Sequence, residues 1–163
     1  MRLYTEDQIK ELFNSNHHKA VRKLENLPVF CGTKPDFGAL AGWVYEQTIQ
    51  FCIIRELNAR KVRADIKEHV CLRGRAKADL RVNNIAIEIK HKGLFGGREA
   101  AKYRDYKNAA TKNGWAYLYI TGSESHQPYR AGITKALGSD NVFFLDTEGN
   151  WERFMRRLVE LAG

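Results

Sequence analysis

Residues 77–90 read KADLRVNNIAIEIK. Two runs, 77–82 and 85–90, alternate polar and apolar residues, the period of a strand with one buried face. Between them stand Asn83 and Asn84. Asparagine tolerates the left-handed backbone that a two-residue hairpin turn requires. Such a turn sets Val82 opposite Ile85, and each outward step pairs the next residues, with Asp79 opposite Glu88 and Lys77 opposite Lys90. One face then carries Ala78, Leu80, Val82, Ile85, Ile87 and Ile89, a core face. The other carries Lys77, Asp79, Arg81, Ala86, Glu88 and Lys90.

The flanking sequence changes period. Upstream, Thr5 to Gln8 form a capping box before Ile9, Leu12 and Phe13 at helical spacing. Polar residues 14–18 interrupt that pattern, and 19–27 reads as a second short helix, followed by a loop over 28–35. Asp36 caps a long helix through residue 58, with Leu40, Val44, Gln47, Phe51 and Ile54 as its central stripe and Trp43 and Leu57 on the flanks. Glu46 lies just beyond that flank. Residues 62–72 form a strand ended by Gly74. Downstream come a Gly-rich loop over 93–97, a helix over 98–113 closed by Gly114, a strand over 115–120, a helix over 128–137 ended by Gly138, a strand over 142–145, and a final helix capped by Asn150. Mixed helices and strands around one sheet make an α/β chain.

The 163 residues suit one domain with its own core. Hydrophobic content of 44% and charged content of 28% exclude a disordered chain. No apolar run approaches a membrane span, and the acids among the first twelve residues do not fit a signal peptide, so membrane binding is not expected. Cys31, Cys52 and Cys71 are odd in number and widely spaced. That predicts buried thiols in a reducing, cytoplasmic-type compartment rather than a disulfide or zinc framework. The net charge is +8, and its placement is uneven. Residues 55–107 hold fifteen Lys/Arg against seven Asp/Glu, while the rest of the chain holds twelve of each. A basic excess confined to one segment points to a polyanion, most often nucleic acid.

Opposed carboxylates repel across a strand pair. The plain remedy is a salt-bridge square with Lys77 and Lys90. The chemical remedy is Mg²⁺, which takes oxygen ligands and one or two carboxylates, the rest being water and phosphate. At Asp79 and Glu88-Ile89-Lys90 the chain resembles the PD-(D/E)XK nuclease superfamily, whose restriction-endonuclease-like fold is a mixed central sheet with flanking helices around an αβββαβ core. Residue 78 is Ala where the family name has Pro. The triplet recurs at Asp65-Ile66-Lys67 and Asp105-Tyr106-Lys107, but only the second copy lies on an alternating strand with an Asp across a hairpin. The resemblance implies one nuclease domain over 1–163, with 1–35 a helical N-terminal extension and 38–120 the catalytic core. It implies that Asp79 and Glu88 hold Mg²⁺ (or Mn²⁺ in its place), that Glu46 joins them from the first core helix, and that Lys90 assists the attacking water.

The expected activity is that of a Mg²⁺-dependent DNA endonuclease, a small type II restriction enzyme in the first reading. A Holliday-junction resolvase or DNA-repair nuclease of the same fold is the alternative, and a non-catalytic DNA-binding module is the reading from another class. Lys77, Arg81, His91, Lys92, Arg98 and Lys102 are the expected DNA contacts. Cutting two strands with one motif per chain implies a homodimer, with Phe13, Leu24 and Phe30 as apolar contacts. His17-His18 lacks further ligands at metal spacing and reads as an exposed helix end. Ser123 and Ser125 lack a nucleophile-elbow pattern.

Overall fold

The computed structural model describes residues 2–26, 36–92, 97–122 and 127–163. The expected loop over 28–35, residues 93–96 of the loop expected over 93–97, and Phe30, Cys31, Ser123 and Ser125 lie outside these residues, while Gly97 is helical rather than loop. The chain is α/β: helices α1 (Glu6–Glu25) and α2 (Phe37–Ala59), strands β1 (Ile66–Arg73), β2 (Ala76–Val82) and β3 (Ile85–Lys90), helix α3 (Gly97–Lys112), strand β4 (Ala116–Thr121), helix α4 (Gln127–Leu137), strand β5 (Val142–Phe144) and helix α5 (Asn150–Ala162). The five strands form one mixed sheet in chain order. The pairs β1–β2 and β2–β3 are antiparallel, and β3–β4 and β4–β5 are parallel.

The sheet is covered on both faces. Leu80, Val82, Ile85, Ile87, Ile89, Leu118, Ile120 and Phe143 pack against α1, α2 and α5. Leu72, Ala86, Tyr117, Tyr119 and Val142 pack against α3 and α4. Both faces of β3 and β4 are therefore buried, as for strands in the middle of an α/β sheet, with Glu88 the charged exception on β3. Ala78, expected on the face of Leu80, joins the opposite cluster; the β1–β2 ladder is broken between the two, at His69 and Asp79.

Three expected boundaries move, the first being that of the strand expected over 62–72, which starts only at Ile66. Residues 14–18 do not interrupt the first helix. The run 6–25 is continuous, since Asn16 Nδ2 donates to Thr48 Oγ1 on α2 (3.3 Å) and His17 stacks on Phe13 (5.5 Å between centroids). These contacts also replace the exposed helix end expected of His17. Asn150 does not cap α5. It is the first helical residue behind Gly149, and its side-chain amide donates to Phe144 O (2.8 Å).

The buried side of α2 also differs from the expected stripe. Its inward residues are Val44, Tyr45, Thr48, Ile49, Cys52, Ile53, Glu56 and Leu57, whereas Phe51 is 50% exposed. The helix is apolar nearly all round, so periodicity alone could not fix which side faces the sheet. Glu56, fully buried, anchors this face. Its Oε1 accepts from Leu3 N (2.8 Å), Tyr4 N (3.1 Å) and Trp151 Nε1 (3.2 Å), and its Oε2 from Arg60 Nε (3.3 Å). One carboxylate thus ties the N-terminus, α2 and α5 together. Phe13, expected at a dimer face, is buried in this same core. Cys52 is buried as expected, but Cys71 is exposed on the edge strand β1. No helix among the described residues is long and apolar enough to cross a membrane.

Candidate metal centre

The β2–β3 hairpin starts as its turn dictates. Asn83 has φ of 50°, and Val82, Arg81 and Leu80 face Ile85, Ala86 and Ile87. The ladder then ends. Asp79 and Glu88 are not paired across it, nor are Lys77 and Lys90, which corrects the expected register beyond Leu80. Instead Asp79 Oδ2 accepts from Ile89 N at 2.7 Å. The carboxylate takes the place that a strand carbonyl would fill, so β2 peels away while β3 stays paired to β4 through Lys90 and Thr121. The other neighbour of β2 gives way at the same point. Glu68 pairs with Leu80 and Val70 with Ala78, but His69 and Asp79 between them do not pair, and His69 has φ of 50°. Asp79 thus stands in an opening made by both adjacent strands.

Further side chains reach this opening. Glu88, 3% exposed, lies on β3; its Oε1 accepts from Lys90 Nζ at 2.7 Å, and its Oε2 is buried without a partner. From α2, Glu46 Oε1 lies 3.8 Å from His69 Nε2 on β1, and ligand atoms of Glu46, His69 and Asp79 all fall within 4.8 Å of one another. Gln50, one turn after Glu46, donates through Nε2 to Glu46 Oε1 (3.2 Å) and to Asp79 O (3.4 Å). The expected residues Asp79, Glu88, Lys90 and Glu46 are therefore brought together. His69 and Gln50 are additions that a pattern reading did not supply.

Burial sets the electrostatics. It pushes Glu88 up to about 7, with the charge of Asp79 adding to the effect and Lys90 and Lys102 opposing it. Asp79 is raised mainly by burial, against Lys90, the Ile89 N–H, His69 and Lys102. Glu46 is raised by burial and then by Asp79. Burial pulls Lys90 down, but Glu88 and Asp79 outweigh it and hold the amine above its ordinary value. Three crowded carboxylates and one committed cation leave negative charge undersatisfied. The orphaned Glu88 Oε2 is its clearest mark, since buried polar atoms normally have partners. An all-oxygen set beside such an orphan suits a hard divalent cation.

The expected DNA contacts divide. Lys102, exposed, lies over the rings of Tyr103 and Tyr106 (5.3 and 5.4 Å) and is close enough to act on both Asp79 and Glu88. Arg98 and Lys92 are exposed at the start of α3 and just past β3, and Lys77 is exposed on β2. Arg81 is engaged elsewhere: it bridges to Asp65 (2.6 Å) and lies over Trp115 (5.2 Å), near the hairpin turn. His91 turns away from Lys90 and packs on Phe13 (4.6 Å) and Tyr45 (5.1 Å), where burial lowers its pKa. A cleft of about 520 Å³ opens on that side, lined by Arg2, Phe13, Tyr45, His91, Gly122 and Asp146 among others, and Asp79, Glu88, Lys90 and Glu46 do not border it. Compared with known proteins, the chain matches no family model, no curated protein and no solved structure.

Proposed function

We propose that this chain is a metal-dependent DNA endonuclease of the PD-(D/E)XK kind, with the restriction-endonuclease-like fold. The observation that carries the reading is the opening at Asp79. There a strand ladder is given up so that Asp79, Glu88 and Glu46 can converge beside Lys90, with one buried carboxylate oxygen left unpartnered. Asp79 and Glu88 would hold Mg²⁺, or Mn²⁺ in its place, with Glu46 alongside. When bound, the ion makes water a stronger nucleophile near neutral pH and draws charge from the phosphate oxygens. Ile89 N–H and Gln50 fix the orientation of Asp79 and Glu46. Lys90, bridged to Glu88 Oε1, is placed to orient the attacking water or take its proton and to stabilise charge growing on the phosphate. Lys92, Arg98 and Lys102 would track the DNA backbone. Paired cuts in a duplex, or in both arms of a junction, would come from two copies of the chain related by a twofold axis.

The test is incubation of the protein with supercoiled plasmid, linear duplex and four-way junctions, with Mg²⁺ or with chelator. Cleavage is expected with Mg²⁺ alone, and the preferred substrate separates a restriction enzyme from a junction-resolving or repair nuclease. Asp79→Ala, Glu88→Ala and Lys90→Ala should each abolish cutting while DNA binding persists. Undiminished cutting by folded Glu88→Ala would falsify the assignment, and binding without cutting on any substrate would leave the non-catalytic module.

A further inference from the structure

We propose that His69 completes, with Glu46 and Asp79, a second cation subsite that takes a transition-metal ion such as Mn²⁺ in preference to Mg²⁺. The inference rests on the metal-dependent reading of the same carboxylates and goes beyond it by adding a nitrogen ligand from β1.

The geometry is already close to that of a ligand set. Donors about 2.1 Å from one ion can be at most about 4.2 Å apart, and His69 Nε2 lies 3.8 Å from Glu46 Oε1. The widest separations in the trio, up to 4.8 Å, need only a small rotation of side chains. His69 is free to make it, since its ring is 55% exposed while Glu46 is held from α2 by Gln50. The three ligands come from three elements, and two of them, His69 and Asp79, occupy the one point where the β1–β2 ladder is left unpaired with its register unchanged on either side. His69 also holds a left-handed backbone, uncommon outside glycine, and so is turned out of the alternation of its strand.

A second observation points to a ligand here. Gln50 is 2% exposed; its amide nitrogen bonds Glu46 and the Asp79 carbonyl, and the Oε1 of the same amide is buried without a partner. Asp79 is common to this trio and to the pair with Glu88, so the site has two halves. One, with Glu88 and Lys90, offers oxygen alone and suits Mg²⁺. The other offers imidazole as well, and imidazole shifts preference from Mg²⁺ towards later divalent ions.

The test measures metal binding to the full chain, apart from cleavage. Mn²⁺ and Mg²⁺ affinities are taken by calorimetry for the wild type, His69→Ala and Glu88→Gln. Bound Mn²⁺ is studied by pulsed electron paramagnetic resonance for the modulation from an imidazole nitrogen. His69→Ala should raise the Mn²⁺ Kd at least about tenfold, since even an outer partner of a metal site is worth that much, and should remove the nitrogen signal. The same substitution should leave Mg²⁺ affinity nearly unchanged. Glu88→Gln should keep both the tight Mn²⁺ site and the signal. A smaller rise in Kd for His69→Ala, or no nitrogen signal in the wild type, overturns the inference. The exposure of His69 keeps its truncation from disturbing the core, which circular dichroism checks directly. DNA cutting separates the two readings. Nitrogen-ligated Mn²⁺ in a protein that cuts no DNA sinks the nuclease and spares the subsite; metal-dependent cutting without the nitrogen signal does the reverse.

Discussion

Burial pushes Glu88 up to about 7 in the folded, metal-free chain, against an ordinary 4.5. The folded state therefore binds a proton between those values that the unfolded state has released. The contribution of Glu88 to stability falls as pH rises from about 4.5 to about 7 and levels off above, a total on the order of 3 kcal/mol. The groups facing Glu88 are Asp79, Lys90, Lys102, Tyr103 and Tyr117. His91, whose pKa is lowered, gives an opposite slope in the same window, but it is present in any Glu88 variant and cancels in a difference. Glu88→Gln stays neutral at all pH. Urea melts in chelator should show the variant gaining on the wild type between pH 5 and pH 8, and Mg²⁺ should stabilise only the wild type at pH 8 by mass action. Equal pH slopes for the two proteins would mean that Glu88 is not the strained group. At this scale the sequence was informative where alternation placed side chains. Asp79, Glu88 and Lys90 could be grouped from the hairpin turn, although the cross-strand pairs expected of them do not form, and Glu46 was added by the family resemblance rather than by helical spacing. His69 could not, because its role depends on the β1–β2 register through Gly74 and on a ladder break that no local pattern marks.

Among the elements, α2 and β4 meet at a close approach. A Cβ built on Gly122 would lie 2.2 Å from the Tyr45 hydroxyl oxygen and 2.5 Å from Tyr45 Cζ, with Tyr45 itself in the core. Gly42, in the interior of α2, would meet nothing within 4 Å. Gly122→Ala should therefore cost about 1–3 kcal/mol through overpacking, whereas Gly42→Ala should gain up to about 1 kcal/mol from helix propensity. For a chain of this size each kcal/mol moves Tm by roughly 2–4 °C, so scanning calorimetry should show shifts of opposite sign. A neutral Gly122→Ala would mean that α2 does not sit as closely on the end of β4 as the structure has it. The elements themselves were mostly legible, since Gly74, Gly114 and Gly138 punctuate them at positive φ and the capping box at Thr5 marks a helix start. What failed were expectations that depend on partners. Polar residues inside α1 looked like a break because Thr48 and the ring of Phe13 were not yet there to receive them. The buried side of α2 was misplaced because an apolar helix offers two candidate faces.

Across the whole molecule, the charge segregated in residues 55–107 falls on several elements, from the end of α2 through β1–β3 to α3, rather than on one helix. Opposite faces of the sheet use their cations differently. Helix α3, with Arg98 and Lys102, packs on one face together with α4, while α5 packs on the other. Lys92, Arg98 and Lys102 are exposed, and Lys102 acts electrostatically on Asp79 and Glu88. On α5, Arg157 is bridged to Glu160 (3.0 Å) and Arg153 donates to the Ser139 and Val142 carbonyls (3.0 and 2.7 Å). A polyanion drawn to the metal centre would therefore release its counterions on the α3 side. Each phosphate that the protein no longer neutralises should lower the slope of log K against log salt by about 0.9 on duplex DNA. Replacing Lys92, Arg98 and Lys102 with Gln should weaken binding and flatten that slope by between one and three such steps, measured by fluorescence anisotropy across a salt series in chelator. Replacing Arg156 and Arg157 with Gln should leave the slope nearly unchanged, although it removes two charges from the same net total. If the α5 pair instead carried the larger share of the slope, DNA would run along the far face of the sheet. Lys92, Arg98 and Lys102 would then not be the backbone contacts, and the DNA face would move to α5.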